Sequence, residues 1–599
     1  MKIEQISYFL FNNFFMKKFV LFIAMIALFT QNIDSKIVTV DQAKTIAKQF
    51  AVNPGKFTAS NVDVRLNYVA NNMKGVADLY VFNRGDNEGF VMVSGDDATP
   101  LVLGYSDKGS FNYDEAPDAL KMMLKEYQVY MEWLRQHPNA AQAPRLNYDL
   151  QPYGVTPICG EVHWHQFPPY NNNCPPSSKA LTSNGRCYAG CVPIAFATIM
   201  KGLKYPTRGC GENRYTFMLD GHEQVAYAKF NDYSYNYSSM KNGYGENAYN
   251  AQAVSELVYE VGVAFHTIYS GSSSDALVRN VFRGIIAFFN YNANIQYVQK
   301  SSYAYNEDAW YEMMYNELDN GRPIYYTGRR TIDNDGNPCD VGHAYVLDGY
   351  DANGKVHVNW GFQPEEYNTY FDWTLLSPRS DYEYNAYESG FNAQQAAIIG
   401  LCEDTTGIGG VVVKNVNLVA DTMPANDLRI TIDIQSLGGV WNGTLKYGVV
   451  SKNSDGTYSP LITKTATNVA IENDSIATLD LTGDYSLYYM TQGRTYYVVV
   501  YSPYFANSSD SGWMWFLDDP VPFTIGDWVT PPDPEFTLGD VNNDGEVSIK
   551  DVTDLLNYLL TGDGEINSDA ADMSGDGELA INDVTLLMTY LLEGGLVEE

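Results

Sequence analysis

Tyr188-Ala189-Gly190-Cys191-Val192-Pro193-Ile194-Ala195-Phe196-Ala197-Thr198-Ile199-Met200 is the stretch on which the reading of this chain turns. Gly190 permits a tight backbone turn, Cys191 follows it, and Pro193 sits where a missing N–H costs least, in a first helical turn. Ala195, Ala197, Ile199 and Met200 continue a buried helix. A thiol at such a helix start faces unpaired N–H groups and the positive end of the helix dipole, which lowers its pKa and favours a thiolate. A buried cysteine is also an ordinary small hydrophobe. The stretch therefore acquires chemistry only if the chain supplies a base.

The chain has 599 residues, enough for about four domains. Its 72 acidic against 38 basic residues give a net charge of −34, which argues against nucleic acid or an anionic membrane as partner. Near the start, Met16-Lys17-Lys18 precedes an apolar run over 19–30 and a polar exit, the pattern of a secretory signal within residues 1–35, with Met16 a candidate initiator. A membrane anchor is the competing reading of that run; no other run is long and apolar enough to cross a bilayer, so no span is expected after signal removal. The chain is expected to be secreted or at the cell surface. Seven cysteines (159, 174, 187, 191, 210, 339 and 402) leave at least one thiol free, and six could pair in an exported chain.

Composition and periodicity divide the rest. Residues 36–147 read as a small α+β domain: an amphipathic helix from Val40, two strands over 78–83 and 89–94, and a closing helix over 120–136. The polar, Pro-containing residues 137–145 read as a protease-sensitive linker. Residues 148–403 begin with helical signals (191–200, 252–264, 274–288, 308–320) and end with strands over 323–327, 343–350 and 355–360, an α+β domain of two lobes. Residues 405–526 alternate as short strands, an all-β sandwich of immunoglobulin-like size. Residues 527–536 are a Pro-rich linker. Residues 537–599 form a small all-α domain built on an internal repeat.

The base for Cys191 is expected at His343, which follows Gly342 at the start of a strand. Asn359 lies 16 residues on, and a two-strand hairpin would bring its side-chain oxygen to the imidazole N–H, with Trp360 shielding the bond. These residues also carry a resemblance. Gly190-Cys191-Val192-Pro193, Gly342-His343-Ala344-Tyr345-Val346-Leu347-Asp348-Gly349 and His357-Val358-Asn359-Trp360-Gly361, with Trp164-His165-Gln166 and Pro323-Ile324-Tyr325-Tyr326, resemble the streptopain-like cysteine peptidases. Gly89-Phe90-Val91-Met92-Val93-Ser94 and Val102-Leu103-Gly104-Tyr105-Ser106 resemble that family's inhibitory prodomain. The resemblance implies a papain-like fold, endopeptidase activity on protein or peptide substrates, and synthesis as a zymogen. Carried onto this sequence, it makes Cys191 the nucleophile and His343 the general base and acid. The Gln166 side chain and the Cys191 N–H become the oxyanion donors, and Asn359 and Trp360 the supports of His343. Catalysis then needs no cofactor. The family usually reads Asn-Trp-Gly-Trp, and this chain has Phe362 in the last place.

The acidic repeat offers oxygen ligands at positions 1, 3, 5 and 12 of two loops: Asp540, Asn542, Asp544 and Asp551, then, 32 residues on, Asp572, Ser574, Asp576 and Asp583. Glu546 and Glu578 supply backbone carbonyls at position 7, and Gly545 and Gly577 the sharp turn, so both loops are expected to hold Ca2+. Loop plus one helix, twice, resembles a dockerin domain, which implies docking to a cohesin-bearing protein. Positions 10 and 11 are Ile549-Lys550 and Ile581-Asn582. The charged residues 328–341 read as a surface loop or flap before His343. Two rival functions fit the same residues: a non-catalytic adhesion or scaffold protein, and a Cys/His amidase acting on cell-wall peptide.

Overall fold

A computed structural model describes residues 37–51, 63–137, 148–332, 337–363, 367–376, 391–505, 516–527 and 536–592. The signal expected in 1–35, residues 138–145 of the linker and the Pro-rich residues 528–535 lie outside them. Among the described residues no helix is long and apolar enough to cross a membrane. The chain forms two compact units, one reaching Val411 and taking in Ser436–Trp441, the other comprising the remainder.

The first unit begins with helix α1 (Val40–Ala51), strands β1 (Val64–Asn71), β2 (Ala77–Arg84), β3 (Phe90–Ser94) and β4 (Val102–Ser106), and helix α2 (Asp118–Gln136). Alternation along β2 and β3 sends Tyr80, Phe82, Val91 and Val93 to the core that holds Ala43 and Ala47 of α1. Leu79, Val81, Phe90 and Met92 face the core of Met123, Tyr127 and Met131 of α2. Both faces are covered, which is why the middles of these strands, Leu79–Phe82 and Phe90–Val93, are continuous apolar runs.

Then follow α3 (Cys191–Leu203), β5 (Glu212–Leu219), β6 (His222–Lys229), α4 (Gln252–Ala264), α5 (Val278–Ala287), β7 (Gln296–Gln299), α6 (Glu307–Asp319), β8 (Ile324–Ile332), β9 (Pro338–Tyr350), β10 (Val356–Asn359), β11 (Thr369–Phe371), α7 (Trp373–Leu376) and β12 (Ala393–Ile399). One ten-stranded sheet runs β1-β2-β3-β4-β11-β10-β9-β8-β12-β7. The N-terminal segment and the segment holding Cys191 therefore share a sheet, joined where Tyr105 pairs with Tyr370 and Gly104 with Phe371. Gly104 is required there: a Cβ would meet Met92 Cε at 2.4 Å and the Tyr370 carbonyl oxygen at 2.6 Å. The two tyrosine rings stack at 4.9 Å, and Lys108 pairs with Glu161 at 2.7 Å beside the join. The loop expected over 328–341 is largely β-structure, because β8 and β9 stay paired out to Ile332 and Pro338.

The strands of residues 410–525 form a three-stranded sheet (Gly410–Leu418, Ile430–Leu437, Ile476–Asp480) and a five-stranded one (Thr422–Met423, Val521–Ile525, Thr495–Val500, Trp441–Lys452, Tyr458–Ile471). At the C-terminal end α8 (Ile549–Thr561), α9 (Ser568–Ala571) and α10 (Ile581–Leu592) close on Val541, Val552, Leu555, Val584 and Leu587.

Candidate active site

Cys191 is the first residue of α3, and Gly190 before it has φ 92°, a conformation that glycine adopts without a Cβ penalty. Nine consecutive helix residues, Val192 to Met200, are buried, and α3 packs against β9. The Ala344 N–H donates to the Cys191 sulfur, so the thiol lies beside the residue that follows His343. Gln166 is carried to the same turn by backbone pairing, its carbonyl accepting from the Ala189 N–H at 3.1 Å. The helix-start thiol does not have the lowered pKa expected of it. Burial pushes it up to about 11, and the N–H groups of Ala344, Val192 and Cys191 only partly offset that.

His343 is 5% exposed and donates from Nε2 to the Trp360 carbonyl oxygen at 2.9 Å. That bond leaves Nδ1 as the basic nitrogen of the neutral ring. Burial pulls the imidazole down to about 4, with the Trp360 carbonyl opposing and the Arg330 charge adding to the fall. Asn359 does not reach the imidazole. Its Nδ2 donates to the Val162 carbonyl at 2.5 Å, and its Oδ1 accepts from the Gly361 N–H at 3.1 Å. The pairing of β10 with β9 puts Asn359 opposite Val346, three residues from His343, and continuing that register brings residue 362 opposite His343. The ring lying flat on the imidazole is accordingly Phe362, at 4.5 Å and 13°, while the Trp360 indole stands off at 6.4 Å. Trp360 acts on His343 through its carbonyl, and its indole packs on Tyr345 at 4.7 Å. Gly361, with φ 67°, lets this turn approach α3; a Cβ would come within 3.1 Å of Ile194.

His165, beside Gln166, is buried and pulled down to about 3 by desolvation. Its Nδ1 accepts from the Phe167 N–H at 3.2 Å. All seven cysteines are free thiols, so Cys191 is not singled out by pairing of the other six.

The two acidic loops fold alike. Asp540 accepts from the N–H groups of Asp544 and Gly545, and Asp572 from those of Gly575, Asp576 and Gly577. Asp551 accepts from Asn542 and Ser548, and Asp583, in the same register, from Ser574 and Ala580. Asp551 and Asp583 are fully buried, and Gly545 and Gly577 have φ 89° and 80°. Backbone N–H groups thus fix carboxylates at positions 1 and 12, and the donor set is oxygen throughout, which fits a hard cation such as Ca2+.

Residues 164–371 match the peptidase C10 family, residues 35–131 the Spi protease inhibitor family and residues 538–592 the dockerin type I domain. The chain is 30% identical over 390 residues to thiol protease/hemagglutinin PrtT of Porphyromonas gingivalis, covering 63% of this chain and 43% of that protein, less than half its length. It is 27% identical over 370 residues to streptopain of Streptococcus pyogenes, covering 59% of this chain and 88% of that one. A fragment of Prevotella intermedia prointerpain A aligns with 57% of this chain and 100% of its own, at 27% identity and a TM-score of 0.45. Dockerin type I domains bind calcium, and cysteine peptidases need no cofactor for catalysis. Along the chain the matches thus run in the order Spi protease inhibitor, peptidase C10 and dockerin type I.

Proposed function

We propose that the protein is a secreted or cell-surface cysteine endopeptidase made as a zymogen, with Cys191 and His343 as its nucleophile and base. The observation that carries this is the junction of α3 with β9: the Cys191 sulfur takes the Ala344 N–H, and the neighbouring imidazole is oriented by the Trp360 carbonyl and clamped by Phe362. In the reaction His343 Nδ1 takes the thiol proton, the sulfur attacks the peptide carbonyl, and the Cys191 N–H and Gln166 amide receive the oxyanion. His343 then gives its proton to the leaving amine, and water hydrolyses the thioester. In the unprocessed chain burial holds both groups neutral, the thiol by its raised pKa and the imidazole by its lowered one. Removing the N-terminal segment, by cleavage near residues 138–157, admits water and substrate and lets the ion pair form. Cleavage of a peptide under reducing conditions is expected from processed protein and absent in Cys191→Ala; full activity of that variant would sink the assignment, and labelling of Cys191 by a peptidyl thiol probe separates the enzyme from a scaffold protein.

The domain limits proposed are 36–147, 148–403, 405–526 and 537–599, with residues 405–526 an immunoglobulin-like sandwich acting as spacer. In the C-terminal all-α domain Asp540, Asn542, Asp544, Asp551 and the Glu546 carbonyl hold one Ca2+. Asp572, Ser574, Asp576, Asp583 and the Glu578 carbonyl hold another. The folded pair then docks to a cohesin-bearing protein.

A further inference from the structure

β8 carries two consecutive arginines, and neighbouring residues of a strand face opposite ways. Arg329 is partly exposed and has its own carboxylate, Asp340, at 2.7 Å from Nε. Arg330 turns to the other face. Its Nη1 donates to the Met122 sulfur of α2, its guanidinium lies 5.8 Å from the centre of the Phe391 ring, and its Nε is buried with no hydrogen-bond partner. Among the described residues no carboxylate pairs with it. A thioether is a weak acceptor and an aromatic face a modest one, so neither replaces the water a permanently charged guanidinium has lost. Its rigid fork of donors matches a carboxylate.

The position of Arg330 gives this unfilled fork a meaning. The Phe391 ring that Arg330 covers is also 5.1 Å from the His343 ring, so cation and imidazole share one aromatic wall. In the β8–β9 pairing Gly328 stands opposite His343 and Arg330 opposite Val341, two residues further along the same strand. The imidazole protonates the leaving amine, so the fragment that departs lies on its side of the scissile bond. Met122, which covers the guanidinium, belongs to the N-terminal segment that leaves on activation.

We propose that Arg330 is a specificity residue that binds a substrate carboxylate on the leaving-group side of the scissile bond, and that Met122 of the prodomain occupies this subsite in the zymogen. The proposal rests on the peptidase reading above. It is tested on processed protein made from the full chain, with peptide pairs carrying Asp or Asn at the first or second leaving-side position. The wild type is expected to favour Asp by about tenfold in kcat/KM, mainly through KM, with the preference shrinking as salt is added. Arg330→Gln brings the pair to near parity, and Arg330→Lys keeps part of the preference, a split that loss of folding alone would not produce. Equal cleavage of Asp and Asn peptides by the wild type, or an Asp preference undiminished in Arg330→Gln, overturns the subsite and leaves the peptidase standing. Cleavage of no peptide at all overturns both.

Discussion

At the residue scale the site departs from its expected geometry at Asn359, and the departure is instructive. A glycine, a cysteine and a proline in sequence announce a helix start, because each restricts the backbone locally; α3 was legible for that reason. The relation of Asn359 to His343 was not, because it depends on the register of β10 against β9, which puts Asn359 opposite Val346 and which no side chain announces. A backbone carbonyl as the imidazole's acceptor leaves no mark in the sequence at all, whereas Phe362 stood out as a departure and proves to be the ring on His343. Desolvation holds that imidazole low, so removing the ring in Phe362→Ala should admit water, raise the His343 pKa and move the acid limb of a kcat/KM profile to higher pH. The same argument applies to Cys191 in the unprocessed chain. With its pKa near 11, alkylation should be slow at neutral pH and should speed up as the pH is raised toward that value, while processed protein labels fast near pH 7. Asn359→Ala leaves the Val162 carbonyl and the Gly361 N–H without their side-chain partner and should cost about 1–3 kcal/mol of stability, read as a lower melting temperature, with a fall in activity through the displaced Trp360 carbonyl.

At the scale of elements the two acidic loops were the most legible part of the chain. Ligand residues, turn glycine and following helix repeat at a fixed offset, and each requirement falls on a residue type. Titration of the full chain with Ca2+ should find two sites, one in Asp551→Asn and none in the Asp551→Asn, Asp583→Asn double variant. Binding unchanged in the double variant would contradict the loop reading. The join of β4 to β11 shows the opposite case. It is made by backbone pairing between strands more than 250 residues apart, and nothing in either strand names its partner. Its tolerance is narrow at Gly104. Gly104→Ala puts a methyl against the Tyr370 carbonyl and should loosen the prodomain, so that Cys191 labels faster in the unprocessed variant than in the unprocessed wild type.

At the scale of the whole molecule the buried titrating groups set how stability responds to pH. His343 and His165 are held near 4 and 3 when folded and return to about 6.5 when unfolded. Below about pH 6.5 the unfolded chain therefore binds more protons, and stability should fall as the pH drops toward 4. Glu260 runs the other way. Burial raises it to about 7, so the folded chain binds the extra proton between about 4.5 and 7, and stability is lost as pH rises through that window. Thermal melts across pH should show both arms, and Glu260→Gln should flatten the second while sparing the first. The ten-stranded sheet has a last consequence. While the N-terminal segment is present, β11 is an interior strand with both sides paired. Its excision turns β11 into an edge, with a row of N–H and C=O groups that any extended chain can pair with. On the activation proposed above, a paired hydrogen-bond ladder becomes an adhesive rim, and the brevity of β11, three residues, limits how much foreign strand that rim can recruit.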